Sequence, residues 1–233
     1  MNRPINRFAA LMALILMGNP ALASAKELKY GCSEPPLEVM FQINGGHYAG
    51  SVNCGNLFLE PDIPAAPTVR WRRADPAKRY ALMMLDFDGN ANGSWPDPVS
   101  AGNNSPVRHW VVGNIPGDLL GVGGYKESDS TTRMKQIQIL QPYRAPHIPM
   151  VSDRYGIYLF EQAGTIAFAP MSGPITNFDY LAFRIRYNLT EPKASNYFVA
   201  VYTSKSPFSG KPFSGNDVST TWHRDFGKGK LLP

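Results

Sequence analysis

Cysteine is scarce in this chain of 233 residues, which contains only Cys32 and Cys54. Neither cysteine belongs to a Cys-x-x-Cys or His-x-x-x-His pattern, and their separation is too wide for a zinc site. A lone pair of cysteines is able to form a disulfide in an oxidising compartment. We therefore predict a Cys32–Cys54 disulfide, and we expect neither a metal ion nor a cofactor.

Long apolar runs are also missing. The apolar residues 8–17 fall short of the roughly 20 that a membrane-spanning helix needs, and no later run reaches that length. Arg3 and Arg7 precede this run and the small residues 23–25 follow it, which is the order found in secretory signal peptides. We predict a signal peptide over residues 1–25, no transmembrane segment, and a secreted or periplasmic location.

The net positive charge of the chain is small and unevenly distributed. Without Arg3 and Arg7 the net charge falls from +5 to +3, and residues 205–233 carry five basic and two acidic side chains. The rest of the chain is formally neutral, whereas nucleic acids and anionic membranes are bound by clustered Lys and Arg. We expect no nucleic-acid partner.

Standard catalytic signatures are absent as well. The chain contains no Gly-x-Ser-x-Gly elbow, no His-Glu-x-x-His pair and no Walker phosphate loop. The familiar motifs of serine hydrolases, zinc proteases and nucleotide-binding enzymes are therefore excluded.

Short apolar segments separated by Gly, Pro and Asn predict a mainly β fold. The predicted strands are residues 39–43, 53–59, 68–72, 81–85, 110–112, 157–160, 165–168 and 196–203. One helix is predicted over 177–187, where Phe178, Leu181, Ala182 and Ile185 recur at helical spacing.

The pattern predicts a single domain over residues 26–204. Within it, residues 117–136 are rich in glycine and polar side chains, and they predict a surface loop. After it, residues 205–233 contain the sequence Pro-Phe-Ser-Gly twice, which is typical of a flexible basic tail.

Candidate chemistry collects where two predicted strands end. Asp86 and Asp88 follow the strand 81–85, and His109 precedes the strand 110–112, with the long loop 87–108 between them. Two carboxylates beside an imidazole are able to hold a cation, accept hydrogen bonds from an amine or a sugar, or perform acid chemistry. The same Asp-x-Asp-Gly sequence is equally able to cap a turn.

These residues carry a resemblance to a known family. A strand that ends in Asp86-Phe87-Asp88, followed by His109-Trp110 and Asn114-Ile-Pro-Gly117, is similar to the phosphatidylethanolamine-binding protein family, also called the Raf kinase inhibitor protein family. Two later segments extend the similarity, and their matching residues are Tyr143, Pro146, Asp153, Arg154 and Tyr155, then Phe178, Ala182, Phe183, Tyr187, Leu189, Pro192 and Ala194. The resemblance covers residues 57–202 and implies antiparallel sheets packed as a β-sandwich, with a peripheral C-terminal helix.

The resemblance also implies roles for individual residues. Asp86, His109 and Tyr155 are expected to line a small polar pocket, and Asp88 is expected to pair with Arg154. Asp153 departs from the family, which has a histidine at this place. An ionised carboxylate only accepts hydrogen bonds and repels phosphate. We therefore expect Asp153 to line the pocket and to favour a cationic or neutral hydroxyl-rich ligand.

The function that follows is a non-enzymatic binding protein for a small polar ligand or lipid head group. One alternative is a hydrolase that uses Asp86 and His109 for acid and base chemistry. Another is an inhibitor of extracellular proteases that acts through the 87–108 loop. Sequons at Asn92, Asn103 and Asn188 matter only in a eukaryotic source, which the sequence does not reveal.

Truncation tests the predicted domain boundary. A chain that ends after Ser204 should keep the melting temperature of the full chain, because the Gly, Pro and Ser context of the tail cannot bury its two repeated phenylalanines regularly. Thermal unfolding followed by circular dichroism measures this. A decrease of more than about 4 °C, which corresponds to roughly 1 kcal/mol or more, would show that the tail packs on the domain.

Overall fold

The structure is a computed structural model that describes residues 28, 30–43, 48–88, 106–129, 136–147 and 152–201. The predicted signal peptide, the tail 205–233 and residues 89–105 of the long loop lie outside this part, so the limits of the domain stay a prediction. The elements are β1 Glu38–Ile43, β2 Tyr48–Ser51, β3 Leu57–Leu59, β4 Thr68–Arg70, β5 Arg79–Asp86, β6 Val107–Pro116, α1 Gly117–Val122, β7 Gln138–Gln141, β8 Ser152–Gln162, α2 Tyr180–Arg186 and β9 Pro192–Val201.

The described strands form two sheets. The smaller sheet has the order β2-β1-β4, and the larger has the order β3-β9-β8-β5-β6-β7. Neighbouring strands are antiparallel except β3 and β9, which run parallel. A parallel pair cannot be joined by a tight turn, and here more than a hundred residues separate the partners Leu57 and Val199 in sequence.

The core lies in two layers, one on each face of the larger sheet. Strands β5, β6 and β8 are buried along most of their length, because both of their faces are covered. One face packs against the smaller sheet, and the other packs against the segment that contains α2. The fold is therefore a mainly β sandwich with a peripheral helix, as the sequence predicted.

The helix α2 is shorter than predicted and buries a different face. It spans Tyr180–Arg186, and its N-cap Asp179 accepts a hydrogen bond from the Ala182 amide. Phe178 precedes the helix and packs against Phe183 at 5.6 Å between ring centroids, a hydrophobic staple. This cap sets the rotation of the helix, so Ile185 is 40% exposed although the sequence pattern placed it on the buried face.

At the end of α2, Asn188, the asparagine of one of the three sequons, has a structural role. Asn188 has a φ of 52°, and the amides of Asn188 and Leu189 donate to the carbonyls of Ile185 and Arg184. This is a Schellman termination, in which the left-handed residue is glycine or, less often, asparagine. The buried Arg184 side chain donates to the carbonyls of Leu189 and Thr190, so it also stabilises this turn.

Two other predictions were wrong for identifiable reasons. Residues 117–136 were predicted as a surface loop, yet they contain α1, which is too short to show helical periodicity in sequence. Residues 165–168 were predicted as a strand, but they do not pair with a neighbouring strand among the described residues. The Asn114 side chain binds the backbone of Ile166, and the Gln138 side chain binds the backbone of Phe168, so side-chain amides replace a neighbouring strand.

A disulfide joins Cys32 to Cys54, with an S–S distance of 2.13 Å. It connects the segment before β1 to the turn before β3 across 22 positions of sequence. On the chain-entropy model a loop of this size contributes about 3 kcal/mol. Among the described residues no helix is long and apolar enough to cross a membrane.

Two glycines of α1 provide a matched test of the fold. A Cβ at Gly117 would overlap the carbonyl oxygen of Asp75, whereas a Cβ at Gly121 would have Ala74 as its nearest neighbour at 3.9 Å. Gly117→Ala should therefore destabilise the protein by about 1–3 kcal/mol. Gly121→Ala should stabilise it by up to about 1 kcal/mol through helix propensity. Urea unfolding of both variants measures the difference, and equal effects would mean that α1 does not pack as described.

Candidate functional site

The site residues meet at one end of the larger sheet. Asp86 is the last residue of β5 and lies opposite Tyr155 of β8 in the register. Asp153 is two residues before Tyr155 and therefore lies on the same face of β8. Glu60, which follows the last residue of β3, is close enough for its charge to act on the Tyr155 hydroxyl.

A β-bulge brings His109 to this end of the sheet. Trp110 pairs with Met84 and Arg108 pairs with Leu85, so His109 is the extra residue on β6. Bulges of this kind redirect a side chain that strict alternation would place on the other face. The His109 ring consequently lies perpendicular to the Tyr155 ring, with 5.0 Å between centroids.

The protonation of His109 follows from its partners. Its Nδ1 lies 3.0 Å from the Arg144 carbonyl oxygen, which only accepts, so Nδ1 carries the proton and Nε2 is left as an acceptor. Burial lowers the pKa of His109 below its usual value, and the Arg144 charge adds to this effect. Hydrogen bonds to the backbone of Arg144 and Ala145 raise the pKa of His109, but desolvation outweighs them. The ring is neutral at pH 7.

Asp86 faces the bare nitrogen of His109. Its Oδ2 lies 4.0 Å from Nε2, and the two side chains are both almost completely buried. Its Oδ1 also accepts from the Asp88 amide at 2.8 Å, so Asp86 caps a turn while its other oxygen faces His109. Two acceptors at this separation suit a donor placed between them.

Tyr155 supplies the donor of the site. Its ring lies between His109 and Phe198, which stacks on it at 5.2 Å. The residue is 0% exposed, and its hydroxyl has no hydrogen-bond partner among the described residues. Burial raises its pKa, and the charge of Asp86 adds to the effect, so the hydroxyl keeps its proton. A buried hydroxyl without a partner costs about 1–3 kcal/mol, which a ligand oxygen would offset.

Asp153 is half-buried at the edge of the site. Burial raises its pKa to about 6, and the Asp88 charge contributes in the same direction, while Arg154 opposes both. Asp153 is therefore ionised at pH 7 and becomes neutral in mild acid.

Asp88 and Arg154 form a bidentate ion pair. Arg154 Nε and Nη2 each lie 2.8 Å from one carboxylate oxygen, and the Arg154 amide donates to Oδ2 at 3.0 Å. The pairing uses the Arg154 guanidinium on the face of β8 opposite to Tyr155. Little positive charge is consequently left for the pocket.

The sequence argument missed two residues, Glu60 and Tyr30. Glu60 followed a predicted strand in the same manner as Asp86, but only the parallel pairing of β3 and β9 places it at this end of the sheet. Tyr30 lies in an N-terminal segment without any periodic signal, and it binds the backbone of Phe87 and Arg154.

Two further observations limit the site. Among the described residues, no group of His, Cys, Asp and Glu is arranged to hold a metal ion. A cleft of about 400 Å³ lies at the other end of β5, lined by Lys78, Arg79 and Asp118. That cleft is remote from Asp86, and the side chains of Arg79 and Lys78 are already bonded to Gln136 and Glu161. We therefore place the candidate site around Tyr155.

Comparison with known proteins identifies the class. The sequence profile described as "PBP: Phosphatidylethanolamine-binding protein" matches residues 27–223. The chain therefore belongs to the phosphatidylethanolamine-binding protein family, and the match continues into the predicted tail.

Solved structures that are similar to this chain have low sequence identity to it. A phosphatidylethanolamine-binding protein from Plasmodium vivax is 14% identical, with 76% of this chain and 88% of that chain covered at a TM-score of 0.50. One from Plasmodium falciparum is 11% identical, with 86% and 100% covered and a TM-score of 0.42. A carboxypeptidase Y inhibitor in complex with its cognate proteinase is 16% identical, with 72% and 85% covered and a TM-score of 0.49. This chain is a divergent member of the family.

Substitution of Arg154 tests the ion pair. Arg154→Gln should destabilise the protein by about 3 kcal/mol, because it leaves the buried Asp88 carboxylate without its partner. The matched control is Arg72→Gln, which removes an ion pair to Glu38 whose arginine side chain is 67% exposed, and this should cost less than about 1 kcal/mol. Chemical unfolding measures both, and similar values would mean that Asp88–Arg154 does not stabilise the fold.

Proposed function

We propose that this chain is an exported, non-enzymatic binding protein whose pocket takes a small cationic ligand with a hydroxyl group, such as an amino alcohol. The observation that carries this proposal is the buried Tyr155 hydroxyl, which has no partner among the described residues and lies beside His109. A pocket with one donor and two facing acceptors fits a ligand that both accepts and donates hydrogen bonds.

The charges around Tyr155 support a cation. Asp86, Asp153 and Glu60 all act on its hydroxyl, and His109 is neutral. Arg154 is paired with Asp88, and the exposed Arg144 is the cation that acts on His109. An ammonium group would donate to Asp86 Oδ2 and His109 Nε2, while a ligand hydroxyl would accept from Tyr155. A phosphate would meet a net negative charge.

Export is supported by two independent features. Residues 1–25 have the order of a signal peptide, and Cys32 and Cys54 form a disulfide of the kind kept in oxidising compartments. A phosphatidylethanolamine head group carries the same ammonium group as a free amino alcohol, but its oxygen is esterified to phosphate.

No observation among the described residues favours either alternative, the hydrolase or the protease inhibitor. In a hydrolase a carboxylate would orient His109 through a hydrogen bond, but Asp86 Oδ2 lies 4.0 Å from His109 Nε2, beyond hydrogen-bond distance. Among the described residues, no serine or threonine is hydrogen-bonded to His109, and both cysteines are in the disulfide. A protease inhibitor acting through 87–108 depends mostly on residues outside the described part.

Removal of the Tyr155 hydroxyl tests the pocket. Tyr155→Phe should weaken binding of ethanolamine about tenfold, because the ligand loses its buried donor. The matched control is Tyr125→Phe, which removes another fully buried hydroxyl that has no partner among the described residues; its ring stacks on Trp110 and not on His109 or Tyr155, so affinity should be unchanged. Titration calorimetry with ethanolamine, inorganic phosphate and vesicles containing phosphatidylethanolamine separates free amine, anion and lipid. Failure of ethanolamine and the vesicles to bind the unmodified protein would refute the proposal.

The pH dependence tests Asp153. Ethanolamine stays protonated between pH 5 and 8, whereas Asp153 loses its proton as the pH rises through about 6. Affinity should therefore increase about tenfold across this range, and Asp153→Asn should flatten the increase. Protonation of His109, whose pKa is lowered by burial, acts in the same direction, so the flattening in Asp153→Asn measures the contribution of Asp153 alone. Tight phosphate binding at pH 8 that Asp153→His does not improve would show that Asp153 does not face the ligand.

A further inference from the structure

The hydroxyl of Tyr30 joins the two chain segments that carry the pocket carboxylates. It donates to the Arg154 carbonyl at 2.7 Å and accepts from the Phe87 amide at 2.8 Å. Phe87 lies between Asp86 and Asp88, and Arg154 lies between Asp153 and Tyr155. One side chain from outside the larger sheet is therefore bonded to the backbone of both strand ends.

The ring of Tyr30 also makes contacts with neighbouring side chains. The Arg154 guanidinium carbon lies 4.6 Å from the ring centroid, a cation–π contact. Phe87 meets the ring edge to face at 5.4 Å, and Tyr197 lies at 6.0 Å on β9. Burial raises the pKa of Tyr30, and the charges of Asp88 and Asp86 raise it further, so the hydroxyl remains a donor.

The disulfide anchors this tyrosine to the sheet. Cys32 is two residues after Tyr30 and is bonded to Cys54, whose amide donates to the Asn196 side chain on β9 at 3.0 Å. The Asn196 side chain in turn donates to the carbonyls of Leu37 and Val52, which precede β1 and follow β2. The segment that carries Tyr30 is thus joined covalently to the turn at Cys54, and the buried Asn196 amide links that turn to β9.

We propose that Tyr30 is a positioning residue for the pocket and that the Cys32–Cys54 disulfide keeps it in place, so that the geometry of the pocket depends on the redox state of the chain. Tyr30 touches the backbone of the strand ends and not the site between Asp86 and His109. Reduction by a dithiol converts the disulfide to two thiols and oxidises the reductant to its own disulfide. The Tyr30 segment then loses its covalent anchor, and its hydroxyl holds the Phe87 amide and the Arg154 carbonyl, which adjoin Asp86 and Asp153, less firmly. The effect on ligand affinity rests on the proposed function; the effect on the strand ends does not.

Amide hydrogen exchange tests the positioning role without a ligand. Tyr30→Phe removes the hydroxyl and keeps the ring contacts, so exchange of the Phe87 amide should accelerate at least about tenfold. The matched control is Tyr80→Phe, which removes a hydroxyl that accepts from the Asp75 amide at 2.8 Å, at the other end of β5. This control should accelerate exchange at Asp75 and leave Phe87 unchanged. An unchanged Phe87 amide in Tyr30→Phe would overturn the proposal.

The disulfide is tested by the double variant Cys32→Ser with Cys54→Ser. Its Phe87 amide should exchange faster than that of the oxidised protein by about the same factor as in Tyr30→Phe. Treatment with dithiothreitol should produce the same change in the unmodified protein and none in the double variant. If reduction leaves exchange at Phe87 unchanged while the S–S bond is shown to be cleaved, the coupling is refuted.

Ligand titration completes the test. In calorimetry, Tyr30→Phe and the reduced protein should bind ethanolamine about tenfold more weakly than the unmodified protein, and the sign of the binding enthalpy should not change. Tyr80→Phe should bind ethanolamine like the unmodified protein. Melting temperatures of all variants identify any loss of affinity that merely follows unfolding. If the unmodified protein binds neither ethanolamine nor vesicles containing phosphatidylethanolamine, the proposed function fails, and the exchange data at Phe87 still decide the role of Tyr30. Equal affinity of Tyr30→Phe and the unmodified protein would show that the pocket does not need this positioning.

Discussion

The antiparallel pairing of β5 with β8 is the constraint on which the site depends. It is continuous from Arg79 opposite Gln162 to Asp86 opposite Tyr155, and both strands are buried on their two faces. A slip by one residue would turn every side chain to the other face. Because apolar residues fill both core layers, the register is fixed by packing along the whole length, and the polar residues at the strand ends are placed as a consequence.

Polar groups at this end of the sheet are held by partners from distant parts of the chain. Asp88 is bonded to Arg154, His109 to the Arg144 carbonyl, and the Phe87 amide to the Tyr30 hydroxyl. Each bond satisfies a buried or half-buried group that would otherwise lose its hydration without compensation. The Tyr155 hydroxyl is the exception among these residues, and our proposal of a ligand at this position rests on that observation together with the neighbouring His109 ring.

A family resemblance carried by a few residues does not transfer the ligand chemistry with the fold. The chain has the strand ends and the bulge that place Asp86, His109 and Tyr155 together, and this framework suits many small polar ligands. The charge around the hydroxyl is set by residues that are independent of the framework. The charges of Asp86, Asp153 and Glu60 act on the Tyr155 hydroxyl while Arg154 is engaged by Asp88, so the local balance is negative, and the ligand class that we propose rests on these side chains.

The sequence by itself determined the mainly β class and most strands, because their apolar segments are continuous and bounded by turn residues. It also placed Asp86 and His109 at strand ends. It did not determine the rotation of α2, which depends on the Asp179 cap, or the extended segment 165–168, whose backbone is bonded by side chains from β6 and β7. Only the tertiary structure decided that His109 turns inward through a bulge and that Glu60 and Tyr30 adjoin the site. The reason is that non-local pairing, which brings residues more than fifty positions apart into contact, leaves no periodic trace in the sequence.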